Sequence, residues 1–312
     1  MQSQQNLKTI MHSKRANIFY LEKCKVLLNG GRVEYLTQEK DKQAYYNIPV
    51  ANTTFILLGK GTSITQAAIR QLSAAGVLVG FCGNQGTPLL SAPEVDWYMP
   101  INEYRPTEYM QKWYSFWKDE QKRLEVAKDV QRKRIEYLYH NWSQDNFITK
   151  NGFVVQEVLD FLEQEKETIV HSKTNQDLLL GEARRIKNLY SHCAQIMRDD
   201  GFYRDPNAKD PTNKLLSHGN YLAYGVAATV LWVMGISHSF AVLHGKTRRG
   251  GLVFDIADII KDSFVLPSAF IASANGDFEQ EFRDALIETF LDNKVYDFLF
   301  EYIKDLCSRY GE

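Results

Sequence analysis

His244-Gly-Lys-Thr-Arg-Arg-Gly-Gly-Leu-Val-Phe-Asp-Ile-Ala-Asp-Ile-Ile-Lys-Asp262 packs one imidazole, three carboxylates and four cations into nineteen residues. From His244 to Gly251 it reads as a basic, glycine-containing loop. Beyond Phe254 the apolar residues Ile256, Ala257, Ile259 and Ile260 predict a helix that leaves Asp255, Asp258 and Asp262 at i, i+3, i+7 spacing along one face. Carboxylates stacked in this way repel and raise one another's pKa unless a cation sits among them. A divalent metal with oxygen ligands is the natural candidate.

Working outward, the segment Leu215 to Gly235 is a nearly all-apolar helix, expected at the centre of the domain that carries this stretch. Upstream, Thr174 with Asp177 three residues on gives a capping-box-like start to a helix through Leu178-Leu-Leu-Gly-Glu-Ala-Arg-Arg-Ile-Lys-Asn-Leu-Tyr. Within it Glu182 is flanked on one side by apolar residues, where an acid costs stability unless it is paired or ligating. Arg185 at i+3 offers an ordinary ion pair as the alternative. A helix over Phe153 to Glu165 precedes it. After Pro106-Thr107 a 3.6-residue periodicity runs through Trp142, its stripe being Tyr109, Trp113, Phe116, Trp117, Leu124, Ala127 and Val130. Lys112, Lys118, Lys122, Arg123, Lys128, Arg132, Lys133 and Arg134 are read as lying mostly off that stripe. Asp199 to Thr212 is a polar loop long enough to be functional. Helices over Phe278 to Leu291 and Val295 to Tyr310 end the chain.

The first hundred residues have a different texture. Runs at Arg15–Leu21, Cys24–Leu28, Arg32–Leu36, Ala44–Pro49, Thr54–Gly59 and Val77–Cys82 are rich in β-branched and aromatic residues and separated by glycine and charged turns. One helix interrupts them, over Gln66 to Ala74, capped by Ser63 or Thr65 and stopped by Gly76. Gly83 to Pro88 is expected to turn back into another short strand. The proline-containing stretch Pro93 to Pro106 marks the boundary, giving domains over 1–100 and 101–312. The fold class is α+β and multidomain, a small β-sheet or sandwich domain followed by an all-helical one.

Bulk properties narrow the function. The net charge of −1 among 312 residues means that a polyanion must be held by local patches, here Lys118 to Arg134, Arg184 to Lys187 and Lys246 to Arg249. The longest apolar run, Tyr221 to Ile236, is shorter than the about 20 residues that span a bilayer, and no signal-peptide pattern opens the chain. A cytoplasmic protein without a membrane partner is expected. Cys24, Cys82, Cys193 and Cys307 form no CxxC pair, so zinc ribbons and a disulfide framework are excluded and reduced, mostly buried thiols are expected.

Glu182, His244 and one or two of the aspartates would together make a hard-cation site with open positions for water and phosphate. Lys246, Arg248 and Arg249 beside it suit the non-bridging oxygens of a phosphodiester. Metal-assisted phosphoryl transfer on a nucleic acid is the favoured chemistry. A nucleotide hydrolase is the competing reading of the same loop, although the upstream glycine of a phosphate-binding loop is missing before Gly245-Lys-Thr. His192 is read as structural.

His244-Gly-Lys, Val253-Phe-Asp-Ile-Ala-Asp-Ile-Ile-Lys261, Gly181-Glu182-Ala183 and Asn220-Tyr221-Leu222 resemble the CRISPR-associated integrase family, the universal subunit of spacer acquisition. The likeness extends to Gly59-Lys-Gly-Thr-Ser-Ile-Thr and Gly76-Val-Leu-Val-Gly-Phe, and the wording from Leu243 to Asp255 is most similar to the type I-F branch. The resemblance implies an N-terminal β-sandwich domain, through which a homodimer forms, and a C-terminal α-helical catalytic domain. It implies Mg²⁺ or Mn²⁺ held by Glu182, His244 and Asp258, with Asp255 close by and also needed, and Lys261 as a basic residue near the active site.

The implied reaction is transesterification. A 3′-hydroxyl of protospacer DNA attacks a phosphodiester of the CRISPR repeat, and the same site can hydrolyse branched DNA. Double-stranded and branched DNA and a small ferredoxin-like partner, fused in type I-F to a helicase-nuclease, are the implied partners. Contacts of Lys246, Arg248, Arg249, Arg184 and Arg185 with DNA are an inference from charge. A structure-specific nuclease and a non-catalytic DNA-binding scaffold remain as alternatives. Asp262 receives no role from the resemblance and is expected to be exposed.

Overall fold

The computed structural model describes residues 10–39, 42–82, 96–100, 106–144, 146–154, 156–199, 201–206, 208–245 and 249–312. Lys246, Arg248 and the segment Gly83 to Pro88 lie outside them. The chain divides into two compact units, Met1–Arg105 and Pro106–Glu312.

The first unit holds two four-stranded sheets. In one, β1 (Asn17–Leu21), β5 (Thr53–Leu58), β7 (Leu78–Phe81) and β8 (Asp96–Tyr98) lie side by side, the last pair antiparallel and the others parallel. In the other, the order is β4 (Lys42–Asn47), β3 (Arg32–Glu39), β2 (Lys25–Asn29) and β6 (Ser63–Ile64). All six residues of β5 are buried, as a strand covered on both faces requires. Ile56 and Leu58 join Leu21, Val79, Val26 and Val33 in one core drawn from both sheets, to which Ala68 and Leu72 of α1 (Gln66–Ala74) also belong. On the other face of β5, Phe55 meets Trp97 edge-on at 5.9 Å. Of the two expected caps of α1, Thr65 serves, its hydroxyl accepting from Ala68 N at 3.3 Å. Ser63 instead pairs in β6.

The second unit is helical. The periodic stretch expected to run unbroken to Trp142 is two helices, α2 (Glu108–Trp117) and α3 (Glu120–Gln144). Asp119 divides them, because its carboxylate accepts from Gln121 N at 2.9 Å and Lys122 N at 3.0 Å and so starts a new helix. Next come α4 (Asn146–Lys150), α5 (Gln156–His171) and α6 (Asn175–Met197), the last opened by the Thr174/Asp177 capping box. Helix α7 (Pro211–Val233) is buried along almost its whole circumference and forms the axis on which α8 (Gly251–Ile260) and α9 (Leu266–Asn275) pack. Helices α10 (Glu279–Asp292) and α11 (Val295–Tyr310) complete the unit. Among the described residues no helix is long and apolar enough to cross a membrane.

Between α8 and α9 the segment Lys261–Val265 widens into a π-turn. Pro267 accounts for it: proline has no N–H to return to the carbonyl of Ser263, and its ring crowds the preceding turn. The indole of Trp142 supplies the missing donor, at 3.1 Å from Ser263 O. Gly219 of α7 lets the turn come close, since a Cβ there would stand 2.5 Å from Val265 Cγ1. The result fixes where Lys261 and Asp262 leave the backbone.

Candidate metal centre

Three helices, one loop and the π-turn bring the ionisable groups together. Helix α6 supplies Glu182, α8 supplies Asp255 and Asp258, and the loop before α8 supplies His244. The π-turn adds Lys261 and Asp262, and α3 adds Arg134. One ligand atom each of Glu182, His244 and Asp258 lies within 4.8 Å of the other two, and all three residues are buried.

The loop carrying His244 is fixed from two sides. On one side Asp255 Oδ2 accepts from Val242 N at 2.7 Å and Leu243 N at 3.1 Å, and Oδ1 accepts from His244 N at 3.1 Å. On the other, the carbonyls of Phe240, Ala241 and Val242 accept from Trp113 Nε1 at 3.0 Å, Trp117 Nε1 at 2.7 Å and Asn175 Nδ2 at 3.1 Å. Gly251 permits the close approach of α8, because a Cβ there would lie 3.0 Å from the His244 carbonyl.

Asp255 Oδ1 also faces His244 Nδ1 at 2.7 Å. An ionised carboxylate only accepts, so Nδ1 carries the proton and Nε2 presents its lone pair towards Glu182 Oε2, 3.5 Å away. Burial pulls the imidazole pKa down, but the hydrogen bond to Asp255 and the charges of Asp258 and Glu182 outweigh it and raise it. Both Asp255 oxygens are engaged by four N–H donors, three from the loop backbone and one from the histidine ring. An outer carboxylate holding a ligating imidazole in this way is a recurrent device of metal sites.

Arg134 is the cation that the aspartate stripe requires. Its guanidinium grips Asp262 through Nε at 2.6 Å and Nη2 at 3.1 Å, and Nη1 reaches Glu182 Oε1 at 2.6 Å and Asp258 Oδ2 at 3.5 Å. Lys261 Nζ takes the other Asp258 oxygen at 2.6 Å and lies 3.3 Å from the Tyr224 hydroxyl. Burial would raise the Asp258 carboxyl, but Lys261, Arg134 and His244 hold it well below the usual carboxylate range. The same contacts raise Lys261 and Arg134 against their own desolvation.

Several expectations are corrected here. Asp262 is not exposed; at 5% exposure it is the buried anchor of Arg134. The three aspartates share a face in sequence but serve three different directions: the histidine loop, the ligand cluster and Arg134. Glu182 pairs with Arg134 rather than with Arg185 one turn along. Arg185 is 1% exposed, bonds to Gln131 Oε1 and lies 3.8 Å from Glu165, so it offers no surface to DNA. Burial lowers its pKa to about 10. Arg184, with a side chain 55% exposed, does face solvent while donating to Glu165 Oε1 at 2.7 Å. His192 is structural, its Nε2 bonded to Phe153 O at 2.8 Å.

In the sequence Arg134 reads as one more cation of the basic run Lys118 to Arg134. The available signal was its register, seven residues after Ala127 and four before Leu138, on the apolar stripe. Trp113 and Trp117 lie on the periodic stripe, and their indole N–H groups give no local sign of a distant loop.

The donor set fits a divalent cation. Glu182 Oε2 is buried and has no hydrogen-bond partner among the described residues, an arrangement that costs about 1–3 kcal/mol unless something fills it. Glu165, Glu182, Asp255, Asp258 and Asp262 face Arg134, Arg184, Arg185 and Lys261, an excess of one negative charge when His244 is neutral.

The family model for CRISPR associated protein Cas1 matches residues 23–298. Over 315 residues the sequence is 52% identical to the CRISPR-associated endonuclease Cas1 of Pseudomonas aeruginosa (strain UCBPP-PA14), covering 98% of this chain and 97% of that relative. The chain belongs to the Cas1 family. Among solved structures, the Cas1 chain matches TtCas1 in a complex with DNA at a TM-score of 0.66 and 21% identity, covering 93% of this chain and 91% of that one. It matches a casposase bound to integration product at 0.72 and 14%, covering 94% and 91%. At these identities the structural likeness is one of Cas1 fold.

Proposed function

We propose that this Cas1-family chain is a metal-dependent DNA integrase of CRISPR spacer acquisition, with Glu182, His244 and Asp258 holding one Mg²⁺ or Mn²⁺. The observation that carries the reading is the buried Glu182 Oε2, without a hydrogen-bond partner among the described residues, facing His244 Nε2 in a cluster with one uncompensated negative charge. Two carboxylates and an imidazole are a donor set for such ions. When bound, the ion supplies a Lewis acid for the phosphodiester and favours deprotonation of the attacking hydroxyl.

The chain's own residues do the rest. Asp255 keeps the His244 proton on Nδ1, so the imidazole enters the site as a ligand and not as an acid. Lys261, whose side chain is 16% exposed against 3% for Arg134, is the centre's most accessible cation and the one suited to a phosphate oxygen. The attacking 3′-oxygen of protospacer DNA gives up its proton and bonds to phosphorus. The leaving 3′-oxygen of the repeat keeps the electron pair and takes up a proton. Arg249 and Arg184, with Lys246 and Arg248, supply phosphate contacts, so DNA affinity falls steeply with salt. The working unit is a homodimer on double-stranded or branched DNA together with a small ferredoxin-like CRISPR-associated partner.

A second reading, a nuclease with water as nucleophile, is favoured by the endonuclease name of the 52%-identical relative. One assay separates them. The protein is incubated with Mn²⁺, a labelled protospacer duplex bearing 3′-hydroxyls and a repeat-containing plasmid. Joined product that disappears with EDTA and in Asp258→Ala supports the integrase; cleaved product alone supports the nuclease. Activity unchanged by EDTA and by Glu182→Ala, His244→Ala and Asp258→Ala rejects both.

A further inference from the structure

Within the centre one carboxylate does nothing for the ligand set directly. Asp262 meets neither His244 nor Lys261; both of its oxygens go to the Arg134 guanidinium, in the two-pronged geometry that fixes an arginine in plane. A guanidinium so held has one nitrogen left to aim, and Nη1 aims at the two carboxylates that would bind the ion. It takes Glu182 through Oε1 at 2.6 Å and touches Asp258 Oδ2 at 3.5 Å. A carboxylate tethered by one oxygen has its other oxygen pointed. For Glu182 that other oxygen is Oε2, the buried atom facing His244 Nε2.

Asp262 in turn owes its place to the π-turn. The turn is set by Pro267, by the Trp142 indole on Ser263 O and by the close approach at Gly219. Asp262 on this turn, Arg134 and Glu182 therefore form a chain of contacts that ends at one oxygen atom.

We propose that Arg134, anchored by Asp262, is a positioning residue of the metal centre: it orients Glu182 so that Oε2 converges with His244 Nε2 and Asp258 on the ion. The claim rests on the metal-site reading above. It assigns the guanidinium a geometric task beyond neutralising charge. Lysine at this position keeps the charge but, as a point charge on a flexible stem, cannot hold Asp262 with two donors and Glu182 with a third.

The test is a Mn²⁺ titration of the full-length protein, read as the rise in Tm. The rise is converted to the metal concentration that half-saturates the site through the RT ln(1 + c/Kd) dependence of stability on the free metal concentration c. Loss of a partner that orients a ligand typically costs about 10- to 100-fold in metal affinity. Arg134→Lys is expected to raise the half-saturating concentration at least about tenfold. A half-saturation point equal to wild type, whatever the Tm of the metal-free variant, overturns the proposal and leaves only a charge or stability role.

If Arg134→Lys does not fold, Asp262→Asn and Glu165→Gln are compared. Each removes one buried negative charge, but Glu165 touches Arg184 and Arg185 and not Arg134. A larger loss of Mn²⁺ affinity in Asp262→Asn supports positioning; equal losses refute it. A wild-type protein that shows no Mn²⁺ shift refutes the metal-site reading instead, which keeps the two failures distinct.

Discussion

Replacing Asp255 by asparagine is the most informative single change outside the ligands. The substitution keeps size and shape but swaps one acceptor oxygen for an NH₂ group. In the native centre Oδ2 serves Val242 N and Leu243 N, and Oδ1 serves His244 N and His244 Nδ1. With the NH₂ turned to the loop, Val242 N and Leu243 N face a donor; with it turned to the histidine, His244 N faces a donor and the Nδ1 proton loses its acceptor unless it moves to Nε2. At roughly 1–3 kcal/mol for each unsatisfied group, the loss is about 3 kcal/mol. For a helical unit spanning Pro106–Glu312 this corresponds to a fall in Tm of about 9 °C, at roughly 3 °C per kcal/mol.

The imidazole responds as well. Without a carboxylate on Nδ1, the neutral ring is no longer held in the tautomer that presents Nε2 to Glu182. Differential scanning fluorimetry with and without Mn²⁺ reads both effects: the metal-free Tm falls and the metal-induced rise is lost or needs far more Mn²⁺. An Asp255→Asn protein with wild-type Tm and wild-type Mn²⁺ response would refute the assignment of Asp255 as the residue that orients His244.

Two further outcomes follow from the same geometry. His244 has a pKa raised above its ordinary 6.5, so protonation stabilises the metal-free fold. That contribution is full below pH 6.5 and is lost as pH rises through the folded value, whereas Mn²⁺ affinity rises over the same range because the ligand must be neutral. Metal-free Tm against pH should decline there in wild type and not in His244→Ala. Gly219→Ala places a methyl 2.5 Å from Val265 Cγ1 and should destabilise by about 1–3 kcal/mol, measured by urea denaturation. Stability equal to wild type would show that α7 and the π-turn can separate at no cost.

Local signals in this sequence translate into structure where the physics is local. The Thr174/Asp177 box opens α6, Thr65 and Gly76 bracket α1, and the β-branched runs of the first hundred residues become strands. Strand β6, two residues long, and β8, inside a stretch read as a boundary, carry too little pattern to be seen. Long-range pairing is where reading from sequence stops. Asp262 looks exposed because three aspartates on a helix face suggest a polar surface, and only the fold shows that an arginine 128 positions earlier fills the space between them. The π-turn moves Asp262 off the ideal register for the same reason: its cause is a proline downstream and an indole from another helix. Glu182 and His244 stand out in the sequence beside one or two of the aspartates, but the choice of Asp258 among them comes only through the family resemblance, since periodicity connects neighbours on one helix and not residues on three elements.

The central claim is that those three side chains bind one divalent ion. Isothermal titration calorimetry of the full chain with MnCl₂ tests it most directly. The expected result is one ion per chain for wild type and no measurable high-affinity binding in Glu182→Ala, His244→Ala or Asp258→Ala proteins that remain folded by circular dichroism. Wild-type stoichiometry and affinity retained in all three would contradict it.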